Sequence, residues 1–215
     1  MQIPDTDSDS HSCRNTAQNR NPRPLEEQFE PGTVATIRNL QERFDALPLA
    51  GHPARYFTAE INRCLDAGLL LAAMHVALSL LELLFRELLI ASEFEKRSLE
   101  CEVHPVKLQY QIREEIEDTH KLGLKKIVAI LSERGLVGSS DAAELRGFYD
   151  GVRIPIHHAI IGRLVKKFSW IHHLRELLLP VTLQDFDDMI EETALTHLDT
   201  MAHFLNKYSA ALDAD

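Results

Sequence analysis

LLLAAMHVALSLLELLFRELL, residues 69–89, is apolar at nearly every step of a helical repeat. Leu70, Met74, Ala77, Leu81, Leu84 and Leu88 follow one another in steps of four and three, and Leu71, Leu78 and Phe85 widen that stripe. Residues advance about 100° each around a helix, so this spacing predicts a central helix from Gly68 to Phe94 that is buried over most of its circumference. His75, Ser79, Glu82 and Arg86 line up as one narrow polar stripe along the remaining side. On its own spacing that stripe reads as a solvent-facing row with a Glu82 to Arg86 pair worth about 0.2–0.5 kcal/mol. The uncharged run from Gly68 to Leu81 is interrupted by His75 and ends at Glu82. It falls short of the roughly 20 apolar residues that cross a bilayer, so no membrane partner is expected.

Working outward, Val34, Ile37, Leu40, Phe44 and Leu47 recur every three or four residues and predict a helix over Gly32 to Leu47. Pro48, Gly51 and Pro53 then mark a loop, and Ala54 to Ala67 a second short helix. Beyond the central helix, Glu95 to Asp118 is highly charged and broken by His104-Pro105. Its second half, Val106 to Asp118, reads as helical, and the whole as an insertion extending from the core. Leu124, Ile127, Val128 and Leu131 predict a helix over Leu122 to Arg134, with Gly135 as its stop. Gly138-Ser139-Ser140-Asp141 supplies a turn, and Asp141 with Glu144 has capping-box spacing. Leu145, Phe148, Tyr149 and Val152 form the buried face of the next helix. After Pro180, Thr182 and Asp185 cap a final helix on which Phe186, Met189, Ile190, Thr193, Leu198, Met201 and Leu205 repeat. No stretch alternates as a strand, no internal repeat occurs and no glycine-rich phosphate loop is found. The fold class expected is all-α.

The 215 residues, 45% of them hydrophobic, suit one domain with a proper core. Residues 1–31 are rich in Asp, Ser, Asn, Gln and Pro and read as a disordered leader, with residues 32–215 as a single helical domain. The acidic, polar start excludes a secretory signal with its basic start and apolar middle. Cys13, Cys64 and Cys101 are scattered and odd in number, which points to a reduced, cytoplasmic setting. A formal net charge of −10 argues against indiscriminate binding to nucleic acid. The charge is uneven, however: between Gly151 and Arg175 there are five cations, four histidines and no acidic residue.

That basic region overlaps the chemistry-bearing stretch FYDGVRIPIHHAIIGRLVKK, residues 148–167. A helix running through Pro155 would cost about 3 kcal/mol, because proline lacks an N–H and clashes with the carbonyl four residues back. Proline is tolerated at a first helical position, so a restart at Pro155 is expected, with His157 and His158 in the new first turn. Arg153 then stands just before free N–H groups at the positive end of a helix dipole, where a phosphate could bind. On an uninterrupted helix Arg153 would instead share a face with His157 and stand roughly 140° from His158. Both histidines therefore remain candidates. The tandem pairs His157-His158 and His172-His173 point to different faces of a helix and show no metal-ligand spacing, and no cofactor is expected.

An arginine followed after four residues by a histidine, at the junction of two helices in an all-helical domain, resembles the signature of the HEPN superfamily. Arg153 and His158 carry the pattern, and the resemblance extends over the central helix, the unit KLGLKKIVAILSERGLVGSSDAAELRGFYDGV (residues 121–152) and the last helix, roughly Ala67 to Leu212. It implies an up-and-down helical bundle, here with extra N-terminal helices. It also implies a metal-independent endoribonuclease of a toxin–antitoxin or phage-defence system. Such an enzyme works as a homodimer whose two sites meet in one cleft, with Glu82 orienting a catalytic group and an antitoxin as protein partner. Arg153 would stabilise charge on the phosphate while His158, or His157, acts as acid or base. The family usually has a polar residue directly after the arginine, where this chain has Ile154 and then Pro155. A non-catalytic HEPN-like module that binds a nucleotide, RNA or protein therefore stands beside the enzyme reading.

Overall fold

The structure is a computed structural model and describes residues 23–49, 54–99, 103–117, 122–150 and 183–210, the side chains of the last stretch from Glu191 onward. All regular structure among the described residues is helical: α1 (Leu25–Gln28), α2 (Pro31–Asp45), α3 (Arg55–Asp66), α4 (Leu70–Ser98), α5 (Pro105–Glu117), α6 (Leu124–Glu133), α7 (Ser139–Phe148) and α8 (Leu183–Ser209). No described helix is long and apolar enough to cross a membrane.

The axis of the bundle is α4, against which α3, α5, α6 and α8 all pack. All six residues of its apolar stripe are buried, as are Leu78 and Phe85. Ala73, Leu80, Leu89 and Ile90 are buried too, so the helix is wrapped on most sides. It runs four residues past Phe94, through Glu95, Lys96 and Arg97. Those residues favour helix without being apolar, which is why hydrophobic periodicity stops short of the true end. Arg97 there pairs with Glu115 of α5 at 2.8 Å and Glu93 of its own helix at 3.5 Å.

The charged stretch after α4 is not an insertion that leaves the core. Its helix α5 starts with proline at the first position, where the missing N–H costs nothing. Leu108, Ile112 and Ile116, four apart, then lie buried on the bundle. The Arg113 guanidinium grips both carboxylate oxygens of Glu87 on α4, at 2.6 and 2.7 Å.

Two turns end in the same hydrogen-bonded device. At Gly68 (φ 70°) the Leu69 N–H donates to the Cys64 carbonyl and the Gly68 N–H to that of Leu65. At Gly135 (φ 75°) the N–H groups of Leu136 and Gly135 donate to Leu131 and Ser132. Both pairs satisfy carbonyls that a helix end would leave orphaned, and both need a residue in the left-handed region. Gly68 thus terminates α3 rather than opening α4. It also meets the N-terminal segment: a Cβ there would stand 2.5 Å from Gln28 Oε1 and 3.0 Å from the Phe29 ring. Residues 23–30, which the sequence reading assigns to the leader, accordingly carry α1, with Leu25 buried.

Side-chain ties give the helix directions. Thr33 donates to Glu191 at 2.6 Å and Arg43 pairs with Asp199, so α2 and α8 run parallel. Gln41 with Asp66 (2.6 Å) and Asn62 with Asp45 (2.7 Å) make α2 and α3 antiparallel. Arg134 donates to Ser92 at 2.8 Å and pairs with Glu93, while Arg86 reaches the Leu122 carbonyl, so α6 runs parallel to α4. Cys64 is buried, and Cys13 and Cys101 lie outside the described residues.

Candidate functional site

Arg153, His157 and His158 all lie outside the described residues, as does the rest of 151–182. The structure does describe the frame from which that segment leaves and to which it returns.

The chain enters it from the α6–α7 hairpin. Its second helix starts after an extended Gly138 with no side-chain cap. The expected capping role of Asp141 is therefore not what this carboxylate does. It reaches across to the last helix, accepting hydrogen bonds from the Tyr208 hydroxyl and from Lys207 Nζ, the latter at 2.6 Å. Those two donors hold the Asp141 carboxyl below its ordinary range, the lysine contributing most. Burial first, and the hydrogen bond to Asp141 second, push the Tyr208 phenol up to about 12. At neutral pH this is an ionised acid held by a neutral phenol and a cation, a structural lock between α7 and α8. At the other end of α7 the Phe148 ring meets His197 of α8 edge to face, centroids 5.7 Å apart. Asp141 to Tyr208 and Phe148 to His197 make the two helices antiparallel, with the end of α7 level with the middle of α8.

At that exit, Lys125 Nζ grips both carboxylate oxygens of Asp150, at 3.0 and 2.8 Å. Asp150 stands three residues before Arg153. The Tyr149 hydroxyl lies 3.4 Å from where a Cβ on Gly123 would be, so the start of α6 and the end of α7 are in close contact. One residue earlier, the Leu122 carbonyl accepts from Arg86 at 3.5 Å, and the Ile116 carbonyl does so at 3.4 Å. These are long hydrogen bonds. They still commit the Arg86 guanidinium to bracing the end of α5 against the start of α6. The polar stripe of α4 is thus not a free row in solvent. Glu82 and Arg86 are half-buried, and the exposed Ser79 donates to the His75 carbonyl at 3.0 Å.

The exit of α7 and the polar stripe of α4 therefore adjoin through the first residues of α6. Lys125, Asp150, Tyr149 and Arg86 build that junction, and sequence reading found only Arg86 as part of a polar feature. Lys125 and Asp150 are 25 residues apart, and Asp141 and Tyr208 are 67 apart. No local spacing marks either pair; the hairpin register and the docking of α8 create them. Compared with protein-family models, with curated proteins and with solved structures, the chain finds no match, so any family reading rests on the residues themselves.

Proposed function

We propose that the chain is a HEPN-like, metal-independent endoribonuclease acting as a homodimer, with Arg153 and His158 as the reacting pair and His157 as the alternative base. The observation that carries the reading is the junction just described. In an all-helical bundle, the hairpin helix that leads into Arg153 ends clamped by Lys125, beside the polar stripe of the central helix. The resemblance to the HEPN signature, an arginine and a histidine with four residues between them, calls for a helix ending of this kind just before the arginine.

In this mechanism a histidine near neutral pKa removes the ribose 2′-hydroxyl proton as the oxygen attacks the adjacent phosphorus. A second, protonated histidine delivers a proton to the departing 5′-oxygen, and two-fold pairing of chains supplies it. Arginine donates its planar fork to the phosphate as charge builds there. The products are a 2′,3′-cyclic phosphate and a free 5′-hydroxyl. An activity of this kind fits a toxin or phage-defence component with a protein antitoxin as partner.

Ile154 after the arginine and the net charge of −10 favour a second reading, a HEPN-like module that binds a nucleotide, RNA or protein without cleaving. The test is incubation of purified protein with transfer RNA in EDTA, which removes any contaminating metal-dependent nuclease. Cleavage is expected from the wild type and from His157→Ala, and loss of it in Arg153→Ala and His158→Ala. Loss in His157→Ala instead moves the base by one residue. A folded, dimeric wild type that leaves the RNA intact replaces the enzyme reading by the binding one.

A further inference from the structure

The outer face of α5 presents large apolar side chains to water. Tyr110 is 72% exposed and Val106, one turn earlier, 56%. Both lie opposite the buried row of Leu108, Ile112 and Ile116, and no other described part of the bundle buries them. Scattered apolar residues on a surface need no explanation; a tyrosine and a valine adjacent on the solvent side of one helix do.

Charges around Tyr110 say what fits there. Lys107, three residues before it, and Glu114, four residues after it, are both exposed and sit on the same side of the outer stripe. A two-fold axis through Tyr110 reverses the helix direction while keeping that side, and so sets Lys107 of one chain against Glu114 of the other, twice. On the opposite side it sets Val106 over the half-exposed Arg113, whose aliphatic stem is an apolar partner while its guanidinium stays on Glu87. The surface is complementary to itself, as an isologous interface requires.

We infer that α5 is a homodimer interface, packing antiparallel on α5 of a second copy with Tyr110 on the two-fold axis and two symmetric Lys107–Glu114 pairs flanking it. The inference deepens the homodimer in the reading above and rests on that reading for the state of assembly, though it uses none of the groups assigned to chemistry.

Sedimentation equilibrium on the full chain tests it, with wild type, Tyr110→Asp, Lys107→Glu, Glu114→Lys and the Lys107→Glu/Glu114→Lys double variant. Wild type is expected to dimerise, and Tyr110→Asp to weaken the dimer about tenfold or more, as loss of a central aromatic does. Each single charge reversal should weaken it about three- to tenfold by opposing like charges, and the double variant should recover most of that loss. All four are exposed substitutions, and an unchanged far-ultraviolet circular dichroism spectrum confirms that they fold. A wild-type dimer that is indifferent to all four variants overturns the α5 surface and leaves the homodimer standing. A monomeric wild type overturns both, and the RNA cleavage assay then decides separately whether a monomer acts.

Discussion

Helices α4 and α5 lie against each other, yet they are held by different physics. In α4 nearly every turn carries three apolar residues, and four other helices take up the faces this creates. In α5 each turn buries only one, so a single face is covered while Tyr110 and Val106 on the other remain in water. What α5 lacks in area it supplements with charge: Arg113 grips Glu87, and Glu115 receives Arg97. The number of apolar residues per turn thus sets how many neighbours a helix acquires, and polar clamps appear where that number is low.

Paired truncations put the comparison at risk most directly. Phe85 is fully buried between α4 and α8, its ring centroid 5.3 Å from that of Tyr208, and Phe85→Ala should cost about 3–5 kcal/mol in urea unfolding. Ile112 is equally buried, but its neighbours on one side only can close over the gap, and Ile112→Ala should cost about 2–3 kcal/mol. Equal losses would break the distinction between wrapped and edge helix.

The clamp comes next. Glu87→Gln removes a carboxylate that is 11% exposed from a bidentate pair, while Arg113 keeps Glu117 at 3.3 Å. About 1–2 kcal/mol should be lost, with the midpoint of unfolding as the readout. No loss at all would mean that apolar packing alone seats α5.

The smallest effect sharpens the α8 side of the comparison, where a phenol replaces the ion pair. Tyr208→Phe should cost about 1 kcal/mol at neutral pH, since Asp141 keeps Lys207. Its pH dependence is more telling. A phenol raised from roughly 10 in the unfolded chain to about 12 in the folded one favours the native state below pH ~10. That contribution fades as pH rises toward the folded value. Wild type should therefore lose stability over this alkaline window relative to Tyr208→Phe, measured as urea midpoints on either side of it. Asp141 has the opposite sign: its lowered pKa contributes above the ordinary carboxylate range and is lost as pH falls through the folded value, a loss that Asp141→Asn abolishes.

Much of the bundle was legible in the chain because burial and periodicity are the same fact seen twice. Val34, Ile37, Leu40 and Phe44 on α2, the stripe of α4, and Leu124, Ile127, Val128 and Leu131 on α6 are all buried as spacing predicts. Where periodicity misled, the cause was charge. Glu95 to Arg97 continue a helix without being apolar, and α5 hides a regular four-residue apolar row among Glu, Lys and Arg. Of the candidate site, the sequence offers Arg153, His157 and His158 by resemblance and chemistry, and these lie outside the described residues. The junction that leads to them was not legible, since Lys125–Asp150 and Arg86–Leu122 depend on how distant turns meet.

By itself, then, the sequence determined the all-helical class, the helix carrying the core, and the glycine that stops α6. Each of these follows from side-chain size, polarity and backbone freedom within a few residues. Tertiary structure alone decided that Asp141 serves α8 rather than its own helix cap, that Arg86 braces two neighbouring segments, and that the charged stretch after α4 docks on the core. Long polar side chains reach many partners at nearly equal free energy, and only the packing of the apolar faces determines which of those partners is within reach.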